Sequence, residues 1–443
     1  MTVSPASLED RIEQNRDQRS SGSLPVAFRW FWGGQAISLT GSQLSLLSFQ
    51  LIAANVLHAK EMEMGVLTAV QSAPYILCGL FVGVLVDRFS RFRILVTTDM
   101  ILCGILIAAS ILNATGQLNI ELLWVIVGAA STLNLAFDAA LSAHLTELID
   151  RKLWLKANSR LSVTTSGSAV AGPAIAGYLL QVTSASLAMS IDAVTYVVSA
   201  MCIILSRPRP ASRVSSPGTH GALPVRTSKH KSTFGAIKDG MSLVYTDPIL
   251  KTFACAITAW NLACGGIMSV LVLFAVRTLG MTSGWVGFVM AAAGLGGLIG
   301  GATGDIWATR WSRGRVVIVA PLVAACGAAM LLAATGHLSV LIVSVSMFLF
   351  NGGQSAFGVI MITCRQEVTP RELLGRMDTT MRVSITGMAS VGALLGGFVA
   401  SRVGMRTTIA SAVFLLFIVV LGLKFSSIEH LVNRSRRMES RMM

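Results

Sequence analysis

Long apolar runs separated by short polar breaks repeat along nearly the whole chain. They fall at 28–55, 64–86, 94–114, 121–143, 158–182 and 185–205, then at 250–276, 282–304, 315–335, 338–362, 379–401 and 405–425. A helix crosses the hydrocarbon core of a bilayer with about 20 mostly apolar residues. The pattern therefore predicts an all-α membrane protein with twelve transmembrane helices. Small residues recur within the runs, as at Gly294, Gly297 and Gly301. Such spacing lets helices approach closely in lipid, where apolar surface alone gives little reason to associate.

Residues 206–249 interrupt the series near the middle. This stretch is rich in Pro, Ser and basic residues and reads as a flexible linker; its last part, Phe234–Tyr245, suits a short amphipathic helix on the membrane surface. The expected organisation is a polar tail at 1–27, a six-helix bundle at 28–205, the linker, a second bundle at 250–425 and a basic tail at 426–443. With the N-terminus inside, the outer loops hold only Lys60, Arg277, Arg402 and Arg406 of the 35 Lys and Arg residues. Basic residues concentrate on the cytoplasmic side of membrane proteins, so both termini are expected there.

Composition sharpens the class. The chain is 53% hydrophobic and 13% charged, with a mean hydropathy of +0.69. A soluble domain carries roughly a quarter charged residues, so a membrane is the natural solvent. The net charge of +14 sits in breaks between apolar runs rather than along one face, which argues against nucleic acid. The seven cysteines (Cys78, Cys103, Cys202, Cys255, Cys264, Cys326, Cys364) form no CxxC and have no His partner at metal-ligand spacing. They read as small buried hydrophobes. The first residues, MTVSPASLEDRIEQNRDQRSSGS, have no apolar h-region and do not read as a cleavable signal. There is no GxxxxGK[ST], HExxH or GxSxG, so neither ATP coupling nor an enzyme is expected.

The two sets of six match each other. At an offset of 220, Glu147, Arg151 and Leu153 meet Glu367, Arg371 and Leu373, and Gly172 and Gly177 meet Gly392 and Gly397. The stretch GVLVDRFSRFR at 83–93 follows an apolar run with one aspartate and three arginines. It has a looser echo, in which Gly83 and Asp87, then Arg88, Arg91 and Arg93, answer to Gly301 and Asp305, then Arg310, Arg313 and Arg315. Charged loop residues matching in one register indicate a duplicated six-helix unit.

On these residues the membrane portion resembles the major facilitator superfamily. The loop pattern of that family, G-x-L-x-D-R-x-G-R, is met by Gly83, Leu85, Asp87, Arg88 and Arg91, with Ser90 standing where the pattern has glycine. The stretches at 137–159, 171–179 and 190–200 are similar to the branch of enterobactin-exporter-like and macrolide-efflux-like proteins. Gly172, Pro173 and Gly177 resemble part of the fifth-helix motif of antiporters, while the fourth-helix arginine of many drug antiporters is absent. The resemblance implies two pseudo-symmetric six-helix bundles and alternating access about a midplane site. It also implies proton-coupled efflux of a small amphipathic molecule, such as a siderophore, macrolide or other drug, across a bacterial inner membrane. The implied partners are that substrate, protons and the bilayer, with a monomer as the working unit and no cofactor or metal. An uptake permease or uniporter of the same fold, or a non-transporting sensor or scaffold, remains open on the residues alone.

The candidate residues follow. The resemblance makes Asp87 a conformational latch with Gly83, Arg88 and Arg91, meeting the start of the eleventh helix near Arg382, where a helix dipole favours an anion. Gly301, Asp305 and Arg310 are the second copy. Carboxylates within a span are costly and face partners or water. Asp99 is expected in the inner charge cluster near Arg93, and Asp138 beside Arg160 at a similar depth, either as a structural pair or in proton carriage. With Asp192 these are the proton-coupling candidates. Asp192 has no basic neighbour in its own span, leaving either a proton site or a carboxyl bonded to neighbouring hydroxyls. The resemblance implies that helices one, four, seven and ten line the substrate cavity. Their polar and aromatic residues are Gln35, Gln43, Asn134, Trp260, Asn261, Asn351 and Gln354, and a subset of them is expected to face it, since buried amides need partners or water.

Overall fold

A computed structural model describes residues 24–79, 82, 86, 88–149, 153–207, 248–369 and 374–426. Most of the tails and of the linker, including the helix expected at 234–245, lie outside the described residues, as do Gly83, Asp87 and the Arg382 side chain. The helices are α1 (Val26–Asn55), α2 (Glu61–Leu77), α3 (Arg91–Ala114), α4 (Ile120–Leu148), α5 (Trp154–Val182) and α6 (Ala185–Leu205). The second set is α7 (Pro248–Leu273), α8 (Ser283–Trp311), α9 (Arg313–Ala329), α10 (Ser339–Val368), α11 (Leu374–Val403) and α12 (Met405–Phe425). Ten helices among the described residues are long and apolar enough to cross a membrane. The described part of α2 is 17 residues, and α5 is diluted by a Ser/Thr-rich first half with Lys156 and Arg160.

Local chemistry starts and stops these helices. Asn119 and Ser184 accept from the backbone N–H of Leu122 and Leu187 and so cap α4 and α6. Ser90 caps α3 at a φ of −61°, so a serine serves here without the left-handed backbone that would call for glycine. The turn between α11 and α12 is Gly404 alone, at a φ of 92°, where an L side chain would be strained.

Packing repeats with the sequence. In the first bundle α1 lies against α5 and α6, α3 against α4 and α6, and α2 against α4; in the second, α7 lies against α11 and α12, α9 against α10 and α12, and α8 against α10. The bundles meet chiefly through α2 on α11 and α5 on α8, with α2 also touching α7. Glycines set the separation. A Cβ on Gly177 of α5 would stand 2.6 Å from the Cα of Gly287 of α8, and one on Gly65 of α2 would stand 2.9 Å from the Cα of Gly397 of α11. Gly177 and Gly397 are the pair that match at offset 220. The two contacts are therefore equivalent under the duplication, and both lie at the distal end of the molecule, away from the chain termini.

Candidate functional site

Beneath those glycine contacts lies a cavity of about 280 Å³ between the bundles. Its polar lining comes from Gln43 and Gln50 on α1 and Thr68 and Gln71 on α2, and Met268 and Met290 are among the apolar residues opposite. Gln43 is placed by Gly172, whose missing side chain leaves room for the Gln43 methylenes. Pro173, also on the lining, has no N–H to give its helix, and its carbonyl oxygen faces Gly287. The cavity is thus amphipathic: amides on one side, flexible thioethers on the other. Methionines adapt to varied apolar shapes.

A second, smaller cavity of about 60 Å³ lies within the first bundle, lined by Ser42, Ser45, Gln71, Ser131, Asn134 and Tyr196 among others. Gln71 and Leu46 line both cavities. Behind it, Asp192 on α6 is fully buried and accepts hydrogen bonds from the hydroxyls of Ser45 on α1 and Thr195 on its own helix. The Tyr196 hydroxyl bonds Ser42 at 3.0 Å. Asp99 on α3 is also fully buried, with neither carboxyl oxygen in a hydrogen bond, although the Ser199 hydroxyl of α6 faces it. This differs from the expected inner charge cluster. Residue 99 falls on the buried face of α3, turned toward α6, whereas Arg93 is exposed.

The other expected residues divide. Asp138 accepts from the Tyr75 hydroxyl at 3.4 Å, whereas the Arg160 guanidinium lies 5.4 Å from the Trp32 ring centroid. Trp32 in turn donates to Thr164 at 2.7 Å. Of the seven cavity candidates, Gln43 lines the central cavity and Asn134 the smaller one. Trp260 is buried in the second bundle, stacked on Phe350. Asn261 and Asn351 bond carbonyls of their own helices, and Gln354 takes the Cys264 thiol at 3.7 Å. Gln35 is buried, its amide nitrogen unbonded. The central cavity is lined by α1, α2, α5, α7 and α8 rather than by the expected helices one, four, seven and ten. Arg88, Asp305 and Arg310 are exposed, and Gly301 lies against Ser355 of its own bundle.

Sequence reading passed over Gly65, Gly287, Ser45, Gln71, Tyr196 and Ser199. One signal was available: Asp192, Thr195, Tyr196 and Ser199 recur at helical spacing and mark one polar stripe on α6.

The sequence profile of the major facilitator superfamily matches residues 31–380. The chain belongs to that superfamily. Among curated relatives, this superfamily member is 25% identical over 420 residues to an MFS-type transporter, YfiS, of Bacillus subtilis, covering 91% of this chain and 95% of the other. It is 26% identical over 411 residues to a proposed bacilysin exporter, BacE, of Bacillus subtilis, covering 91% and 93%. Macrolide efflux protein A of Streptococcus pyogenes matches at 24% over 195 residues, 43% and 47% of the two chains. Among solved structures, a bacterial homologue of the iron transporter ferroportin in its inward-facing state superposes with a TM-score of 0.69 at 14% identity, covering 91% and 100%. The nucleoside transporter NupG gives 0.67 at 10%, covering 90% and 100%. The family and fold are those of membrane transporters.

Proposed function

We propose that this transporter exports a small amphipathic molecule across a bacterial cytoplasmic membrane by alternating access, coupled to proton entry. The chain termini and the linker face the cytoplasm. The observation that carries the reading is the pair of symmetry-related glycine contacts. They close the distal, outward end, and the bundles stay in contact toward the middle, where a Cβ on Gly294 of α8 would run into the Ala169 carbonyl oxygen of α5. The conformation is then closed at its outward end, the state in which cargo would enter from the cytoplasm. Rocking the bundles breaks the glycine contacts and brings the inner ends together. Asp87 then latches to the start of α11 near Arg382, with Arg88 and Arg91 holding the loop at the membrane edge.

The cavity supports the cargo class: four polar side chains opposite two methionines suit a molecule with both polar groups and apolar surface. The direction is supported by the relatives named as exporters. Erythromycin, a macrolide, serves as the probe. Everted vesicles containing the transporter are expected to accumulate it when their lumen is acidified, and Asp87→Asn is expected to abolish accumulation. Accumulation by energised intact cells instead would overturn the export direction.

A further inference from the structure

The first bundle holds something its duplicate lacks. α6 and α12 are equivalent at offset 220, since their bounds, Ala185–Leu205 and Met405–Phe425, differ by that number at both ends. At the positions equivalent to Asp192, Tyr196 and Ser199, α12 has Ala412, Leu416 and Val419, all buried in apolar packing. Neither α9 nor α12 contains a carboxylate. A duplicated unit holds its bundle together with apolar side chains at these positions, so the polar stripe on α6 is not needed to hold the helices.

The stripe has an order. Asp192, Tyr196 and Ser199 occupy successive turns of one face, and Asp99 meets that face at Ser199. The Tyr196 hydroxyl bonds Ser42 of α1 at 3.0 Å from the same face. Other ionisable groups lie on the helices around α6. Arg29 on α1, Arg93 on α3 and Lys156 and Arg160 on α5 are all exposed, and Arg91 is half-buried at the end of α3. Glu121 and Asp138 on α4 are exposed, and His144 is buried against Phe31. On the stripe's own level stand Cys103 on α3 and Cys202 on α6, both thiols. Two fully buried carboxyl groups therefore share the first bundle, and among the described residues no basic side chain lies against either. Ionising both there is costly in a low dielectric, so the pair changes its charge only by taking up or giving off a cation.

We propose that Asp99 and Asp192 are the proton-exchanging groups of the coupling cycle, reached from the central cavity through the small side cavity. This rests on the proton-coupled reading above and locates its site. Gln71 and Leu46 border both cavities, and Ser42, Ser45, Asn134 and Tyr196 continue the polar lining to Asp192. When water fills the side cavity, a carboxyl O–H breaks and its proton passes to that water. The carboxylate left at Asp192 is held by the Ser45 and Thr195 hydroxyls. Reprotonation from the opposite side neutralises the stripe and lets it close.

Infrared difference spectra of the full-length transporter in lipid nanodiscs, stepped from acid to alkaline pH, test this. The expected result is a protonated-carboxyl band that disappears with rising pH, is reduced in Asp99→Asn and in Asp192→Asn, and is absent in the double variant. Ser45→Ala keeps both carboxyls but removes a donor, and is expected to shift the band without reducing its area. Gln71→Leu is expected to keep the band and slow its response to a pH jump. A band unchanged in both aspartate variants, a loss confined to Asp138→Asn, or a response to sodium at fixed pH would each overturn the proposal. Erythromycin accumulation in everted vesicles is scored in parallel. Failure of wild-type accumulation counts against the export reading, while accumulation that keeps its pH dependence in the double variant counts against this site alone.

Discussion

At Gly177 and Gly397, a Cβ would meet backbone atoms of the opposite bundle, and backbone cannot swing aside as a flexible side chain can. Inserting methyl groups into such contacts typically costs about 1–3 kcal/mol. Gly177→Ala and Gly397→Ala are therefore expected to weaken the state closed at the distal end. The check is labelling of Gln43→Cys by a membrane-impermeant maleimide added outside, in a background without the native cysteines. Labelling should rise in both alanine variants and stay unchanged in Gly167→Ala, which has open space around it. Ser42→Ala removes the 3.0 Å bond to Tyr196. Interhelical bonds of this kind are worth about 0.5–2 kcal/mol in membranes, so its thermal midpoint in detergent should fall modestly. A midpoint at or above wild type would count against the bond.

The helices were legible where their chemistry is apolar. α6 and α12 match the expected spans at 185–205 and 405–425, while α8 runs on to Trp311 and α10 to Val368, beyond the expected 304 and 362. Hydropathy locates the part of a helix that needs lipid, and turns beyond it are held by backbone bonds that leave no hydropathy signal. Pairing between helices was less accessible. The hydroxyls of Ser72 on α2 and Ser390 on α11 lie 3.0 Å apart across the two bundles. Cysteines at both positions in a cysteine-free background are expected to form a disulfide readily, since side chains that close fit its geometry. Oxidation should stop erythromycin accumulation and dithiothreitol should restore it. Transport that persists with the bridge formed would mean that α2 and α11 do not part during the cycle.

At the scale of the molecule, the two bundles are alike in packing and unlike in chemistry. Contacts between them are duplicated, glycine on glycine, while the buried carboxyl groups of α3 and α6 have no counterpart in α9 and α12. The proposed cycle uses both properties: symmetric contacts that open and close the distal end, and a charge site present in one bundle only. The proposed orientation has its own test. Lys60→Cys, between α1 and α2, is expected to react with an impermeant maleimide on intact cells. Lys424→Cys, near the end of α12, should react only after permeabilisation. The reverse pattern would invert the topology and with it the direction of export.

The residues alone determined the solvent, the twelve helices and the duplication, because each leaves a periodic or compositional mark along the chain. They also brought Asp192 and Gln43 forward, since a polar residue within an apolar run stands out against its neighbours, while Pro173 and Gly177 came from the resemblance of the fifth helix to an antiporter motif. Which of these act together was decided by the tertiary structure. Gly65 meets Gly397, Ser45 meets Asp192, and Gln71 borders two cavities, yet these partners are far apart in sequence. The same holds for Asp99, whose helix opens with Arg91 and Arg93 and whose spatial neighbour is Ser199. Helix rotation sets which face meets which, and in lipid that rotation is fixed by the fit of small residues against distant helices.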